Sequence, residues 1–139
     1  MRKKLLWLDD YRDPFDKEVD WMVFTPIGRD VEIHWVLSYL EFTQWIKKNG
    51  LPDGICFDHD LGGDIKQNLI KQGYSKREAK KIRQNMELPN GYDCAKWLVD
   101  YCIDKKQPLP LYNIQSANPT GKENIDKLLQ NFIKNERRG

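Results

Sequence analysis

Hydrophobic positions along the chain follow two different periods. Residues 4–8, 31–37, 54–58 and 111–115 are short runs rich in leucine, β-branched and aromatic residues, which predicts four strands. Between and after them the apolar spacing becomes helical. Ser38 and Glu41 form a Ser-x-x-Glu capping box, Phe42, Trp45 and Ile46 share one face, and Asn49-Gly50 with Pro52 stops the helix. Asn90-Gly91 opens a helix to about Asp104, with Tyr92, Ala95, Val99, Cys102 and Ile103 at helical spacing. Thr120 with Glu123 reads as another capping box. It precedes Ile125, Leu128, Leu129, Phe132 and Ile133, a complete i, i+3, i+4, i+7, i+8 stripe. Residues 135–139 read as a frayed tail.

Two segments lack this clarity. Residues 11–29 carry turn signals (Asp13-Pro14, Thr25-Pro26, Gly28) and read as loop, with a short strand at residues 21–24. Residues 64–89 hold a capping box at Ser75 and Glu78 and a short helix to about Gln84, with sparse apolar residues. They read as an exposed insertion packed by one thin edge. The resulting β-loop-β-α-β-insertion-α-β-α pattern, with right-handed crossovers, predicts a three-layer α/β sandwich on a four-stranded parallel sheet of order 2-1-3-4. All 139 residues fit a single domain.

The strand ends carry the chemistry. The first strand runs into Asp9-Asp10 and the third into Asp58-His59-Asp60 before the turn Gly62-Gly63. In the order 2-1-3-4 these strands are neighbours, so the aspartates gather at the carboxyl edge, where open α/β sheets place ligands. Two carboxylates about 4 Å apart repel by roughly 4 kcal/mol at an effective dielectric near 20. Such a group takes a hard divalent cation, takes up protons, or turns outward to cap turns and face water. The functional reading is a Mg²⁺ or Mn²⁺ site from Asp9, Asp10 and Asp58, with Asp60 as ligand or orienting group. His59 is a candidate general acid or base, a metal ligand, or a turn residue. His34 alternates with apolar residues and reads as structural. The fourth strand leads through Ser116-Ala117-Asn118-Pro119-Thr120-Gly121-Lys122 into a helix. Its free N–H groups and dipole suit a phosphate, with Ser116, Asn118, Thr120 and Lys122 as donors, although an ordinary capped helix entry has the same residues.

Composition narrows the classes. With 40% hydrophobic and 32% charged residues the chain suits a soluble globular protein, and a net charge of +2 does not by itself argue for nucleic acid. The charge is uneven: residues 64–89 carry +4 and the remainder −2. The basic stretch 66–83 is therefore a candidate contact for RNA phosphates, set against a solvated helix face. No apolar run approaches the roughly 18 residues that span a bilayer, and the basic start Arg2-Lys3-Lys4 lacks the apolar length of a signal peptide. Cys56, Cys94 and Cys102 sit within apolar patterns, which suits core thiols in a reducing compartment and the cytoplasm as location. Among the aromatics, Tyr11 and Trp21 are the candidates for stacking on a base; the remaining tryptophans sit at core spacings.

The strand-Asp9-Asp10, strand-Asp58, strand-Ser116 series resembles the receiver domain of two-component signalling, a flavodoxin-like fold. Leu8-Asp9-Asp10-Tyr11-Arg12-Asp13-Pro14, Phe57-Asp58-His59-Asp60-Leu61-Gly62, Asn90-Gly91-Tyr92-Asp93 and residues 116–125 resemble its offshoot, the cyclic-phosphate-processing receiver domain. The resemblance implies Mg²⁺ on the acid pair and the strand-3 aspartate. It also implies a role in processing a cyclic phosphate on an RNA end or nucleotide, as a metal-dependent phosphoesterase with Asp58, His59 and Asp60 as catalytic residues. The alternative is a module that binds phosphate or nucleotide without chemistry, or accepts a phosphoryl group on Asp58. The chain departs from the receiver pattern in two places. One helix follows Ser116 with no fifth strand and lysine, so Lys122 would supply that contact, and Gln115 stands where relatives often carry histidine.

Overall fold

The structure is a computed structural model that describes residues 2–61, 63–85, 89–116 and 118–138. Its centre is a parallel sheet of β1 (Lys3–Leu8), β2 (Val31–Val36), β3 (Gly54–Phe57) and β4 (Leu111–Ile114). The order is β2-β1-β3-β4, as the crossover argument requires. The register pairs Leu8 with Val36 on one side and Phe57 on the other, and Phe57 with Ile114. All four strands therefore end level, which is what makes the carboxyl edge a platform.

The two faces of the sheet are covered differently. Leu6, Leu8, Ile55, Phe57 and Ile114 face a core filled by α1 (Tyr39–Asn49), α4 (Gly91–Lys105) and α5 (Pro119–Arg138) through Phe42, Ile46, Leu98, Ile125 and Leu129, all fully buried. On the other face Leu5, Trp7, Val31 and Cys56 lie beneath Val19, Trp21, Phe24 and Ile27. The third layer is thus the chain between β1 and β2 rather than a helix. Right-handedness puts this crossover on the face opposite the later ones, because it steps across the sheet in the other direction.

Several local expectations change. Residues 21–24 are not a strand: Trp21–Val23 is one turn of 3₁₀-helix, closed by Phe24 N–H donating to the Trp21 carbonyl (3.0 Å). Trp21 and Phe24, three apart, must both reach the sheet while Met22 and Val23 stay exposed, a spacing that suits a helical turn and not an alternating strand. The insertion holds two helices, α2 (Gly63–Lys71) and α3 (Lys76–Asn85). Gly73, at φ +108°, stops α2, with Tyr74 N–H reaching the Leu69 carbonyl at 3.1 Å in a Schellman-type closure. Ser75 and Glu78 form the expected reciprocal cap of α3. The final helix begins earlier than Thr120, at Pro119, whose missing N–H costs nothing at a first helical position; Asn118 is the cap, accepting from Gly121 N–H at 3.0 Å. It also continues to Arg138 instead of fraying from residue 135, since nothing in that stretch breaks a helix. Gly62 and Ala117, named above in two of the motifs, and residues 86–88 and 139 lie outside the described residues. Among the described residues no helix is long and apolar enough to cross a membrane.

Candidate functional site at the carboxyl edge

Three residues stand one position beyond the ends of adjacent strands, and each extends the ladder by one hydrogen bond. Asp9 N–H donates to Val36 (3.1 Å), Asp58 N–H to Leu8 (3.0 Å) and Gln115 N–H to Phe57 (2.8 Å). Residues level with one another on parallel strands point to the same face, so these three side chains meet. Asp9 is buried and its carboxylate is held at both oxygens. Oδ1 accepts from the N–H groups of Tyr11 and Arg12, both at 2.9 Å, and Oδ2 accepts from Gln115 Nε2 at 2.9 Å. Trp35 Nε1 donates to the Asp9 carbonyl at 2.7 Å. The loop that follows is pinned above the site, with Trp7 Nε1 donating to the Arg12 carbonyl at 2.9 Å and the Arg12 guanidinium donating to the Gln115 carbonyl.

Ligand oxygens of Asp9, Asp10 and Asp58 lie within 4.8 Å of one another. Burial and the neighbouring charge of Asp9, followed by the charge of Asp10 and a hydrogen bond shared with it, push the Asp58 carboxyl up to about 8. The set is all oxygen, the donor type that hard divalent ions select. The donor set therefore fits such an ion. A pH dependence follows. Between about pH 4 and 8 the folded protein keeps a proton on Asp58 that the unfolded chain has released, so stability falls as pH rises, by at most about 1.4 kcal/mol per pH unit. Melting temperatures of chelator-treated protein are expected to decline from pH 5 to pH 8; a flat or rising profile would show that Asp58 ionises normally.

The Asp58-His59-Asp60 turn is gripped by two helix starts. Gly91 N–H donates to the His59 carbonyl at 2.8 Å, and a Cβ on Gly91 would stand 1.9 Å from the Asp58 carbonyl oxygen. The Asn90–Asp93 capping box holds that helix end in place. On the other side the His59 ring lies against Gly121 in the first turn of α5, where a Cβ would come within 2.3 Å of the imidazole. His59 Nδ1 is 2.8 Å from Asp60 Oδ1. Asp60 is half exposed and belongs with His59 rather than with the three-acid group. From the insertion, Arg83 Nη1 donates to the Leu61 carbonyl at 2.6 Å, tying α3 to the same turn.

The matched family model, described as the cyclic-phosphate processing receiver domain, spans residues 4–131. The chain belongs to that family. No curated protein and no solved structure matches it. Within this cyclic-phosphate processing receiver domain the expected phosphate donors fall into two groups. Ser116 and Asn118 have local duties: Ser116 Oγ accepts from Asn118 N–H at 3.0 Å, and Asn118 Nδ2 points at Asp60 Oδ1 from 3.5 Å. Thr120 and Lys122 are exposed, and Lys122 lines a groove of about 430 Å³ between β4 and α5 with Tyr112, Asp126 and Gln130. Asn118→Ala, which removes a helix cap, is expected to cost about 1 kcal/mol in urea unfolding; no loss would show that Asn118 is free of this duty.

The remaining candidates settle into the fold. His34 packs on Trp45 (5.1 Å between ring centres) with Nε2 2.9 Å from Glu32. Trp21 is committed to the loop layer, whereas Tyr11, next to Asp10, is 83% exposed. The three cysteines are buried free thiols; burial, and then the charge of Asp9, pushes Cys56 up to about 12. Pattern reading noted Gln115 only as a departure, named Arg12 and Gly91 only within motifs and Arg83 only in the basic stretch, and gave none of the three a part in holding the site. The signal for Gln115 was its place, first polar residue after an apolar strand, the same position that drew attention to Asp9 and Asp58.

Proposed function

We propose that this protein is a metal-dependent phosphoesterase acting on a cyclic phosphate carried by an RNA end or a nucleotide. The observation that carries the reading is the three-acid group of Asp9, Asp10 and Asp58 placed beside the His59–Asp60 pair and the start of α5. Asp9, Asp10 and Asp58 hold Mg²⁺ or Mn²⁺, which when bound neutralises phosphate charge and lowers the pKa of water. Asp60 Oδ1 accepts a hydrogen bond from His59 Nδ1–H, which fixes the tautomer and leaves the other ring nitrogen to exchange a proton with the leaving or attacking oxygen. The Ser116 hydroxyl and the Thr120 N–H at the start of α5 hold phosphate oxygens, with Lys122 drawing in the anion from the rim. Lys76, Arg77, Lys80 and Lys81, all exposed on α3, supply a positive face for an RNA backbone, and the exposed Tyr11 ring supplies a surface for a base. A cytoplasmic location suits three free thiols.

A second reading, a phospho-accepting module, is favoured by the position of Asp58 at the end of β3 beside an acid pair. Among the described residues no strand follows β4 to bring a lysine to the phosphoryl group, so in this reading Lys122 makes that contact. Incubation with acetyl phosphate and Mg²⁺ followed by intact mass separates the two. An unchanged mass is expected; a stable phosphoryl adduct on Asp58 would favour the acceptor.

A further inference from the structure

Gln115 is 4% exposed and is bonded from three of its polar groups. Its N–H donates to Phe57, its carbonyl accepts the Arg12 guanidinium, and Nε2 donates to Asp9 Oδ2. The fourth group, the side-chain oxygen Oε1, is buried and has no hydrogen-bond partner among the described residues. Reversing the amide does not help. It would aim Oε1 at the Asp9 carboxylate, acceptor against acceptor, and leave the NH₂ group unmatched instead. The orientation is therefore set by Asp9, and the stranded oxygen sits on the same planar head group that touches the acid cluster. A buried acceptor without a donor is costly, of the kind that ordered water, an ion or a ligand normally satisfies.

We propose that Gln115 is the positioning residue of the cation site: Nε2 holds Asp9 in the orientation that binds the ion, and Oε1 accepts a hydrogen from a water the ion carries. This rests on the reading of Asp9, Asp10 and Asp58 as the ligands. Magnesium and manganese keep several of their waters when bound by a few carboxylates, so a fixed acceptor one residue beyond a neighbouring strand has a donor available to it. The same amide thus does two things that a carboxylate could not do in the metal-free state. It donates to Asp9, and it adds no further charge beside three carboxylates whose oxygens lie within 4.8 Å of one another. Gln115 acts through Asp9 and the water shell, not on the reacting atoms.

The test is calorimetric titration of Mg²⁺ and Mn²⁺ into the full chain at pH 8, for wild type, Gln115→Met and Gln115→Glu, with melting temperatures recorded with and without metal. Gln115→Met keeps the size and removes both donor and acceptor. It is expected to weaken metal binding by about tenfold or more, the usual effect of losing a partner that orients a ligand, while the metal-free protein melts within a few degrees of wild type. Gln115→Glu restores an oxygen acceptor and adds charge beside Asp9. It is expected to melt lower without metal and, because the cation relieves the added charge, to show a larger Mg²⁺-dependent rise in Tm. A merely structural glutamine would lower Tm in both variants and leave the affinity alone. Unaltered affinity in Gln115→Met would overturn the role of Gln115 and leave the metal site standing. Absence of saturable binding to wild type would overturn both. Should Gln115→Met fail to fold, Gln115→Glu decides, and a Mg²⁺-dependent rise in Tm no larger than that of wild type would overturn the inference.

Discussion

Asp58→Asn is expected to stabilise the metal-free protein at pH 8 and to abolish Mg²⁺-dependent turnover of a cyclic phosphate. The two effects have one cause. Burial first, then the charges of Asp9 and Asp10, raise Asp58 to about 8 in the absence of a cation. Asparagine has the shape of the protonated acid, bears no charge, and its NH₂ can donate to Asp10. The protein no longer forfeits free energy as pH rises from about 4 to 8, so its melting temperature at pH 8 should exceed that of wild type by several degrees. The same change removes one of three carboxylates that hold the ion, and with it several kcal/mol of transition-state charge stabilisation, which corresponds to a rate loss on the order of 10³-fold. The Mg²⁺-induced rise in Tm should disappear as well. A variant less stable than wild type at every pH would place Asp58 in a structural role.

The strand-end acids were legible in the sequence because charged residues directly after apolar strands have few structural uses, and because the alternating and helical periods were clear in β2, α1 and α5. The order 2-1-3-4 was the simplest choice for right-handed crossovers on parallel strands, and the structure keeps it. The layer between β1 and β2 was not legible as a layer. Val19, Trp21, Phe24 and Ile27 pack over Leu5, Trp7, Val31 and Cys56 with spacings of two, three and three, which match neither a strand nor a helix. α2 was hidden by sparse apolar residues, and its stop at Gly73 depends on a positive φ that composition does not report. Gln115 carried no charge to mark it. Its contact with Asp9 crosses 106 positions and exists only because β1, β3 and β4 end level.

Gly91→Ala is expected to destabilise the fold by about 3 kcal/mol or more, a large effect for one methyl group. The added carbon would stand 1.9 Å from the Asp58 carbonyl oxygen, 2.8 Å from its carbonyl carbon and 2.8 Å from His59 Cα. These are backbone atoms, which cannot rotate aside as a side chain would. Asp58 is anchored by its N–H to Leu8, and Gly91 by its N–H to the His59 carbonyl and by the Asn90–Asp93 box, so neither partner can yield without breaking hydrogen bonds. Relief has to come from lifting the α4 start off the turn, which would shift Asp58 and His59 together. Urea unfolding should show a lower midpoint with an unchanged slope, and Mg²⁺ should stabilise the variant less than it does wild type. A midpoint equal to wild type would mean that the helix start and the turn are not in the close contact described.

The most direct measurement is turnover of 2′,3′-cyclic, 3′,5′-cyclic and cyclic dinucleotide phosphates by the full chain with Mg²⁺ or Mn²⁺, with Asp58→Asn as the paired control. The expected result is ring-opened or cleaved product from one substrate class, dependent on metal and lost in the variant. No product from any class, or product formed equally by Asp58→Asn or in the presence of a chelator, would contradict a metal-dependent phosphoesterase built on Asp9, Asp10 and Asp58.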